Sequence, residues 1–547
     1  MKRHLLILAA ALLCLSAGAE GLDDIIPRPT ECTSGKGTFK MAGVSFKCDT
    51  DLDDETVRAF TDLAGDLTIA GGRTCAVSVS IGLKASVDND AAKGVIVLKD
   101  SSIAPEGYSI ETDGSHMVIC VNDANGARYA CETLRQLLPP SIYLKKPAPD
   151  DKFVIPDCTI KDAPRFGWRG MHLDSSRHFW QISEIKKYLD VMARYKLNRF
   201  HWHLTDDQGW RIEIMRYPLL TQISCFREGT MIGHDFSSND NVRYGAFYTQ
   251  EEIRDVVAYA AKLGIEVIPE IDFPGHMLAA MAAYPWLGCT GGPYETWTRW
   301  GISEQVLCAG KESTFTFLQN VLDEVADLFP AGYIHIGGDE CPKTEWKNCP
   351  DCQARIRELG LKDDDKFTAE EYLQSYVTSR IQKYLMAKGK KIIGWDEILE
   401  GGLAPGATVM SWRGVDGGKA AAETGMDAIM TPMDYFYLNR HQKEGEEQES
   451  YGGGGFLPIS HTYSFEPLEG ISPDNSSHIL GVQGCMWTEY IKENGELEDL
   501  LLPRLLALSE VQWCMPENKD YDRFISAVAL KHTPDLLASG YNISIIN

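Results

Sequence analysis

The feature that most constrains the fold is an alternation, from about residue 165 onward, of short apolar runs with amphipathic helical patterns. Each run has the length of a buried strand, and each helical pattern has the apolar spacing of a helix that packs on a sheet. The runs occupy residues 170–173, 199–204, 265–269, 333–336, 391–394, 408–411, 428–430 and 479–482. Eight strands that alternate with helices predict a closed, parallel (β/α)8 barrel, the TIM-barrel fold of the α/β class.

An open, doubly wound sheet is the alternative arrangement for the same alternation. Dinucleotide-binding sheets of that kind carry a GxGxxG turn after their first strand, and the sequence has no such turn after residues 170–173. The closed barrel is therefore the favoured interpretation. The helical patterns expected around it are residues 183–195, 249–263, 314–328, 369–387 and 500–513.

The residues before the barrel mix strand and helix patterns. Residues 76–81 and 117–121 alternate as strands do, and residues 127–138 have a helical pattern that Pro139 and Pro140 end. We therefore predict a small N-terminal α/β domain over residues 20–150. Residues 151–547 are assigned to the barrel together with a C-terminal helical segment.

The first 19 residues have the features of a secretory signal peptide. Lys2 and Arg3 precede an apolar run at residues 5–15, and small residues at 17–19 predict cleavage after Ala19. No later run reaches the roughly 18 apolar residues of a membrane span. We expect an exported protein, periplasmic or extracellular, without a membrane span.

The charge balance limits the partners of the chain. Its 53 Lys and Arg residues against 78 Asp and Glu residues give a formal charge of −25. Phosphate backbones are bound by clustered basic residues, so this balance argues against a nucleic-acid partner. The sequence makes no prediction of an oligomeric state.

The residues that follow the eight runs are mostly acids and aromatics. Because the carboxyl ends of barrel strands form the active site in this fold, these side chains should converge on one rim. They are Asp174, Arg177, Asp206, Asp207, Glu270, Asp272, His276, Asp339, Glu340, Trp395, Asp396, Glu397, Trp412, Asp434, Tyr435, Tyr437, Trp487 and Glu489. Carboxylates bind sugar hydroxyls and aromatic faces cover the C–H face of a pyranose, so the rim predicts a carbohydrate site.

The sharpest motif is His335-Ile-Gly-Gly-Asp-Glu340. Its glycines allow the backbone to leave the fourth strand in conformations closed to other residues. Ordinary glycoside hydrolysis places two carboxylates about 5–10 Å apart across the scissile bond, which neighbouring residues fit poorly. A different division fits better: Glu340 as general acid, and Asp339 orienting an N-acetyl group of the substrate that acts as the nucleophile.

Several longer motifs together resemble glycoside hydrolase family 20, the β-N-acetylhexosaminidases. They are RGMHLDSSRHF at 169–179, HWHLTDDQGWR at 201–211, PEIDFPGH at 269–276, HIGGDE at 335–340, GWDE at 394–397, LAPGATVMSW at 403–412 and MWTE at 486–489. The segment YACETLRQLLP at 129–139 resembles the small domain that precedes the family's barrel. The resemblance implies an exported, retaining exo-β-N-acetylhexosaminidase that releases terminal GlcNAc or GalNAc from N-acetylated oligosaccharides or glycoconjugates through an oxazolinium intermediate, without a cofactor.

The resemblance also implies roles for individual residues. Glu340 would be the acid/base, while Asp339 and Tyr437 would hold the two ends of the acetamido group. Asp206 and His276 would form a supporting pair behind Glu340. The remaining residues would bind substrate: Arg177 and Glu489 on sugar hydroxyls, and Trp395, Trp412 and Trp487 around the N-acetyl group. Asn439 stands where the family often has Asp, which keeps hydrogen bonding but removes a charge from hydroxyl recognition.

Two metal hypotheses are considered and not preferred. His201 and His203 form an HxH pattern, but both would point to the same face inside a packed barrel, which favours a structural role. Cys341, Cys349 and Cys352 lie close in sequence without a fourth ligand at a familiar zinc spacing. Cys289 and Cys308 bracket a glycine-rich loop and could instead be joined by a disulfide bond. We therefore predict no metal.

Other functions fit the same fold. A lacto-N-biosidase-like enzyme would release a disaccharide rather than a single sugar. A non-catalytic glycan-binding protein on the same barrel is a further alternative, and the intact Asp339–Glu340 pair argues against it. A metallohydrolase would rest on the HxH pattern alone.

Overall fold

A computed structural model describes residues 21–88, 94–402, 404–445 and 451–545. The predicted signal peptide, residues 1–19, lies outside the described residues. The described chain forms two compact units. The first contains residues 21–165, Arg194–Lys196 and residues 505–545, and the second contains Phe166–Ala193 and Leu197–Arg504.

The first unit is built on a mixed seven-stranded sheet. In spatial order its strands are Glu31–Lys40, Val154–Asp162, Tyr108–Thr112, His116–Val121, Gly94–Lys99, Ser45–Asp49 and Ala76–Ser80. In this order the first four strands pair antiparallel with their neighbours. His116–Val121 is the fourth, and it pairs in parallel with the next strand, as do the remaining strands. The predicted strands at 76–81 and 117–121 are therefore present.

Helices cover the sheet of this unit. Apolar side chains of Asp54–Gly71 and Ala124–Gln136 bury against the strands, and Asp53 and Asp123 cap the two helices by accepting from backbone N–H groups. The remaining helices are Leu83–Asp88, Ser141–Leu144, Tyr521–Ala527, Thr533–Ala538 and Arg504–Trp513, which belongs to this unit except for its first residue.

A buried ion pair lies in the core of the first unit. The Lys196 ammonium is 3.0 Å from Asp162 Oδ2, and both side chains are fully buried. Asp162 also accepts from the Tyr108 hydroxyl and from Trp513 Nε1, at 2.7 and 2.8 Å. Burial lowers the pKa of Lys196 although the Asp162 charge opposes that effect. The carboxylate therefore depends on several donors that come from distant parts of the chain.

The second unit contains the predicted barrel. Its parallel strands close in chain order, with the eighth pairing with the first. Barrel strands 1 to 8 are Trp168–Asp174, Arg199–His203, Glu266–Glu270, Tyr333–His335, Lys391–Trp395, Thr408–Ser411, Ala428–Met430 and Ile479–Gly484. The α/β prediction of a TIM barrel preceded by a small α/β domain is confirmed.

Helices connect the barrel strands. Gln250–Lys262 and Ala369–Met386 begin with capping boxes, Thr249 with Glu252 and Thr368 with Glu371, which satisfy N–H groups of the first turn. The others are Ile182–Arg194, Leu219–Gln222, Leu278–Ala283, Glu312–Leu328, Thr344–Asn348, Pro350–Leu359, Asp416–Glu423, Met433–Phe436, Ile459–Ser464 and Asn494–Leu501. Two short ribbons pair Thr205–Asp206 with Gly209–Trp210 and Phe226–Arg227 with Tyr244–Gly245.

One predicted helix is wrong in its continuity. Residues 500–513 were expected as a single helix, but the structure has Asn494–Leu501 and Arg504–Trp513 with an interruption between them. Pro503 lies at the break, and a proline lacks the backbone N–H that a helix interior needs. Within the described residues, no helix has the length and apolar character to cross a bilayer.

We predict that Lys196→Met lowers the free energy of unfolding by about 3–5 kcal/mol, because it leaves the buried Asp162 carboxylate without its cation. Urea unfolding of both proteins at pH 7 measures the difference. The control is Lys161→Met, whose partner Glu31 is 3.4 Å away and whose side chain is 56% exposed. It should cost less than about 1 kcal/mol, and equal losses in the two variants would contradict the prediction.

Candidate active site

The segment after barrel strand 4 turns sharply at its glycines. Gly337 and Gly338 have φ values of 64° and 96°, and Glu340 also has a positive φ of 44°. A Cβ on Gly337 would lie 1.7 Å from Asp272 Oδ1, so only glycine fits. The turn brings both carboxylates to one imidazole: His276 Nε2 is 3.5 Å from Glu340 Oε2 and 3.8 Å from Asp339 Oδ2.

The two neighbouring carboxylates differ in their surroundings. The Glu340 side chain is 34% exposed and that of Asp339 is 12% exposed. Burial raises the pKa of Asp339 from 3.8 to about 6, although the His276 charge opposes the effect. Asp339 Oδ1 is buried and accepts no hydrogen bond from the described residues. This oxygen is therefore free to accept a hydrogen bond from a bound molecule.

Asp272 supports Asp339 from the neighbouring barrel strand end. Burial and the nearby Asp339 charge raise the pKa of Asp272 well above its usual range, which favours the protonated form of this carboxyl beside Asp339. Asp272 Oδ1 in turn accepts from the backbone N–H of Gly338 at 3.1 Å. The contact holds the glycine turn and the Asp339 carboxylate in one arrangement.

A chain of charged groups lies behind Glu340. His276 Nδ1 is 3.1 Å from Asp206 Oδ1, and Arg177 Nη2 is 2.9 Å from Asp206 Oδ2. Against the effect of burial, Asp206 raises the pKa of His276 well above its usual range, so the ring is cationic at neutral pH. Burial opposes ionisation of Asp206, but Arg177 and His276 hold its pKa well below the usual range. The predicted pair of Asp206 and His276 is thus brought directly behind Glu340.

Arg177 is surrounded by acids. Its guanidinium lies 3.2 Å from Asp174 Oδ2, 2.9 Å from Asp206 Oδ2 and 3.7 Å from Glu489 Oε1. It also lies 5.1 Å from the centre of the Trp487 ring. The Glu489 side chain is 23% exposed, whereas Asp174 is fully buried. Arg177 therefore joins the interior of the barrel to the rim through Glu489.

The centre of the network is Glu270, at the end of barrel strand 3. Its carboxylate lies 2.6 Å from His203 Nδ1, 3.0 Å from His201 Nε2 and 3.0 Å from His335 Nδ1. Trp395 Nε1 donates to Glu270 Oε1 at 2.9 Å. Against the effect of burial, the histidines lower the pKa of Glu270 well below its usual range. His203 Nε2 lies 3.0 Å from Asp206 Oδ2, which links this centre to Asp206.

The HxH histidines are engaged within this network. His203 uses one nitrogen toward Glu270 and the other toward Asp206. His201 lies against Glu270 through Nε2 and 2.9 Å from Gln483 Nε2 through Nδ1. Each nitrogen of both rings therefore lies within 3.0 Å of a protein side chain, which supports the structural interpretation of the HxH pattern.

Aromatic rings line the rim beside the acids. Trp412 and Tyr437 stack at 6.1 Å with an interplanar angle of 13°, and Tyr437 lies 6.2 Å from Trp487. These three rings are half-buried, whereas Trp395 is 1% exposed and 5.8 Å from Trp487. Trp395 thus lies at the base of this aromatic group. Asn439 is buried, and its backbone carbonyl accepts from Gly453 in the loop that follows.

Four residues without a role assigned from the sequence also lie within the site. They are Glu270, Asp272, Gln208 and Glu397. Gln208 Oε1 accepts from Arg177 Nε at 2.9 Å, and Glu397 Oε2 accepts from Trp412 Nε1 at 3.0 Å. Burial and the nearby Asp339 charge raise the pKa of Glu397 to about 8. Three of the four are acids at or just after the end of a barrel strand. That position is the sequence feature from which a role in the site could have been predicted.

Comparisons with known proteins converge on one family. Residues 166–516 match the model of the glycosyl hydrolase family 20 catalytic domain, and residues 23–163 match that of domain 2 of the same family. A beta-hexosaminidase of Porphyromonas gingivalis is 41% identical over 92% of this chain, which spans 62% of that protein's length. A beta-N-acetylhexosaminidase of Cellulomonas fimi is 31% identical over 93% of each chain.

A solved structure shows the same fold. The structure of a mutant Streptomyces plicatus beta-hexosaminidase, in complex with the product GlcNAc, superposes with a TM-score of 0.81. The two chains are 28% identical, and the match covers 96% of this chain and 97% of the other.

We predict that Asp339→Asn stabilises the protein at pH 7.5 and has little effect near pH 4. A carboxyl whose pKa is raised in the folded state contributes stability below its unfolded pKa of 3.8, and that stability is lost as the pH rises through about 6. The neutral amide avoids the loss, so the gain at pH 7.5 should be on the order of 1–3 kcal/mol. Thermal unfolding at both pH values measures it.

The control for this variant is Asp255→Asn, because the Asp255 side chain is 55% exposed. It should change the unfolding temperature little at either pH. A loss of stability in Asp339→Asn at pH 7.5 would contradict the account of a buried, destabilised carboxylate.

Proposed function

The chain belongs to glycosyl hydrolase family 20, and from this we propose that it is an exported, retaining exo-β-N-acetylhexosaminidase. Its substrates would be oligosaccharides or glycoconjugates that end in β-linked GlcNAc or GalNAc. Relatives of this chain are beta-hexosaminidases, and one was solved with the product GlcNAc. The apolar run at 5–15 and the small residues at 17–19 support the proposal of export.

The observation that carries the proposal is the placement of Asp339 and Glu340 beside one imidazole. Carboxylates that cleave a glycosidic bond as a pair must stand on opposite sides of it, at least about 5 Å apart. These two are neighbours that both face His276. A mechanism in which only Glu340 acts on the scissile bond, while Asp339 acts on the N-acetyl group, fits this geometry.

Three of the other acids around the site are poorly suited to be the nucleophile. Asp206 and Asp174 are buried against Arg177, with side chains 1% and 0% exposed. Glu397 has a pKa of about 8 and is therefore mostly protonated at neutral pH. The substrate's own acetamido oxygen is then the favoured nucleophile.

Asp339 is suited to orient that acetamido group. Its Oδ1 is free to accept the N–H of the substrate, and the Asp272 carboxyl lies close enough for the two groups to shift each other's pKa. The Tyr437 hydroxyl would donate to the acetamido oxygen, so that both ends of the amide are held for ring closure. As the oxygen attacks the anomeric carbon, the amide gains positive charge, which the Asp339 carboxylate stabilises.

Glu340 is suited to proton transfer because it is the more exposed acid of the pair. It would protonate the leaving oxygen and then take a proton from the water that opens the oxazolinium ring. His276, cationic and held by Asp206, faces Glu340 and would help to set its proton affinity. Two displacements at the anomeric carbon retain its configuration.

The rim would bind the sugar itself. Trp412, Tyr437 and Trp487 would enclose the N-acetyl group with Trp395 beneath them, and Arg177 and Glu489 would bind sugar hydroxyls. The Arg177 guanidinium is already held by Asp174 and Asp206, so it presents a fixed donor. Asn439, in the turn after Tyr437, would contribute a neutral polar group.

We predict that the enzyme hydrolyses chromogenic β-GlcNAc or β-GalNAc but not the matching β-glucoside. Removing the acetamido group removes the nucleophile, so the glucoside should be turned over at background rate. Initial rates at equal substrate concentrations measure the difference. Equal turnover of the glucoside would contradict substrate assistance, and release of a disaccharide alone from defined glycans would favour the lacto-N-biosidase-like alternative.

We predict that Glu340→Gln lowers kcat/KM roughly 10²–10⁴-fold, the contribution of a general acid. The loss should be smaller for an aryl glycoside with an acidic phenol, because that leaving group needs no protonation. Comparing such a substrate with an oligosaccharide separates acid catalysis from binding. The matched control is Glu228→Gln, whose side chain is 79% exposed and which should keep full activity; equal losses on both substrates would contradict the assignment.

A further inference from the structure

Four cysteines of the second unit meet at one point outside the site described above. They are Cys289, Cys308, Cys349 and Cys352, which come from three segments of the chain. Three are buried and Cys289 is partly exposed. In the sequence, Cys349 and Cys352 lie near Cys341, and no fourth ligand stands at a familiar zinc spacing. The fold supplies two others instead, because it brings Cys289 and Cys308 to the CxxC pair.

The spacing of the four sulfurs fits a tetrahedral metal ion. Cys352 Sγ lies 3.8 Å from Cys289 Sγ and 3.6 Å from Cys308 Sγ, and Cys308 Sγ lies 3.7 Å from Cys349 Sγ. All four sulfurs lie within 4.8 Å of one another. Four sulfurs bound to zinc at about 2.3 Å in a tetrahedron are about 3.8 Å apart.

Backbone contacts build the cluster. An isolated β-bridge pairs Gly288 with Leu307, and the Cys308 N–H donates to Leu287 at 2.8 Å. These contacts place Cys289 beside Cys308. A Cβ on Gly310 would lie 2.4 Å from the backbone nitrogen of Cys352, so glycine allows the segment after Cys308 to approach the CxxC pair.

The surroundings also suit thiolates. Cys349 precedes the ten-residue helix Pro350–Leu359 and Cys352 lies in its first turn, where the helix dipole favours negative charge. The Lys311 ammonium bonds the carbonyl of Gly288, next to Cys289, at 2.7 Å. Zinc bound by four thiolates carries net negative charge, and these groups offset it.

We propose that Cys289, Cys308, Cys349 and Cys352 bind one structural Zn²⁺ ion. A site of four protein ligands is closed, so the ion would take no part in the hydrolysis. It would join two segments that follow neighbouring barrel strands. The first segment follows His276 and carries Cys289 and Cys308, and within it the Leu307 N–H donates to the Pro274 carbonyl at 3.0 Å. The second segment follows Glu340 and carries Cys349 and Cys352. The ion would therefore fix two segments that flank the acids.

The first test is the metal content of the purified, full-length wild-type protein. After dialysis against EDTA and gel filtration, elemental analysis should find one zinc per chain. A thiol-specific organomercurial should then release the zinc. The amount released should rise in proportion to the reaction of the four cysteines and reach one ion per chain when all four have reacted. Wild-type protein with four free thiols and no metal, with iron in place of zinc, or with two disulfides found by mass spectrometry after alkylation would overturn the proposal.

The second test uses variants and a spectroscopic probe. Cys352→Ser should lose the zinc, while Cys225→Ser, which changes a buried cysteine outside the cluster, should keep it. If Cys352→Ser does not fold, the visible absorption spectrum of wild-type protein refolded with Co²⁺ tests the proposal instead. Tetrahedral cobalt thiolate gives intense visible absorption with a sulfur-to-metal charge-transfer band, and a spectrum of six-coordinate cobalt would contradict a site of four cysteines.

Discussion

The arrangement of the barrel interior depends on the contacts of one buried carboxylate, that of Glu270. An ionised carboxylate removed from water costs several kcal/mol unless charged or hydrogen-bonding partners replace the solvent. Here the partners are His201, His203, His335 and Trp395, which come from barrel strands 2, 4 and 5. One side chain thereby fixes the relative positions of four neighbouring strands, and its replacement by an apolar residue would leave one nitrogen of each of these rings without its carboxylate partner.

The same network reaches the chemistry at the rim. His203 contacts both Glu270 and Asp206. Asp206 in turn binds Arg177 and His276, and His276 faces Glu340. Each charge in this chain lies between opposite charges, so the groups hold one another in place. The orientation of the proposed acid is therefore fixed from the core of the barrel outward.

The proposed function has a cost in stability. The glycine turn admits only a residue without a side chain at position 337, and Asp339 is ionised in surroundings that raise its pKa to about 6. A carboxylate held in this way is poorly solvated until a ligand N–H reaches its free oxygen. In the proposed mechanism, binding energy from the substrate would thus be available where charge develops during ring closure.

Much of the fold followed from local pattern, because strand runs and capping residues are encoded by neighbours in sequence. The eight runs located all eight barrel strands, and the strand-end rule brought Asp339, Glu340 and the aromatic residues to one rim. What escaped depends on contacts between distant residues. Glu270 and Asp272 gained their importance from partners on other strands, and Cys289 joins Cys352 across a long stretch of chain. Pro503 is a helix-breaking residue that the sequence shows, but the apolar spacing on both sides of it favours one continuous helix.

The central claim is that the substrate's acetamido oxygen, oriented by Asp339, is the nucleophile. Its most direct test is kcat/KM for one aryl glucosaminide whose N-acetyl group carries zero, one, two or three fluorine atoms. Fluorine withdraws electrons from the carbonyl oxygen and weakens it as a nucleophile with little change in shape. The account predicts a steep, progressive fall in rate across the series, and rates that are indifferent to fluorine would contradict it.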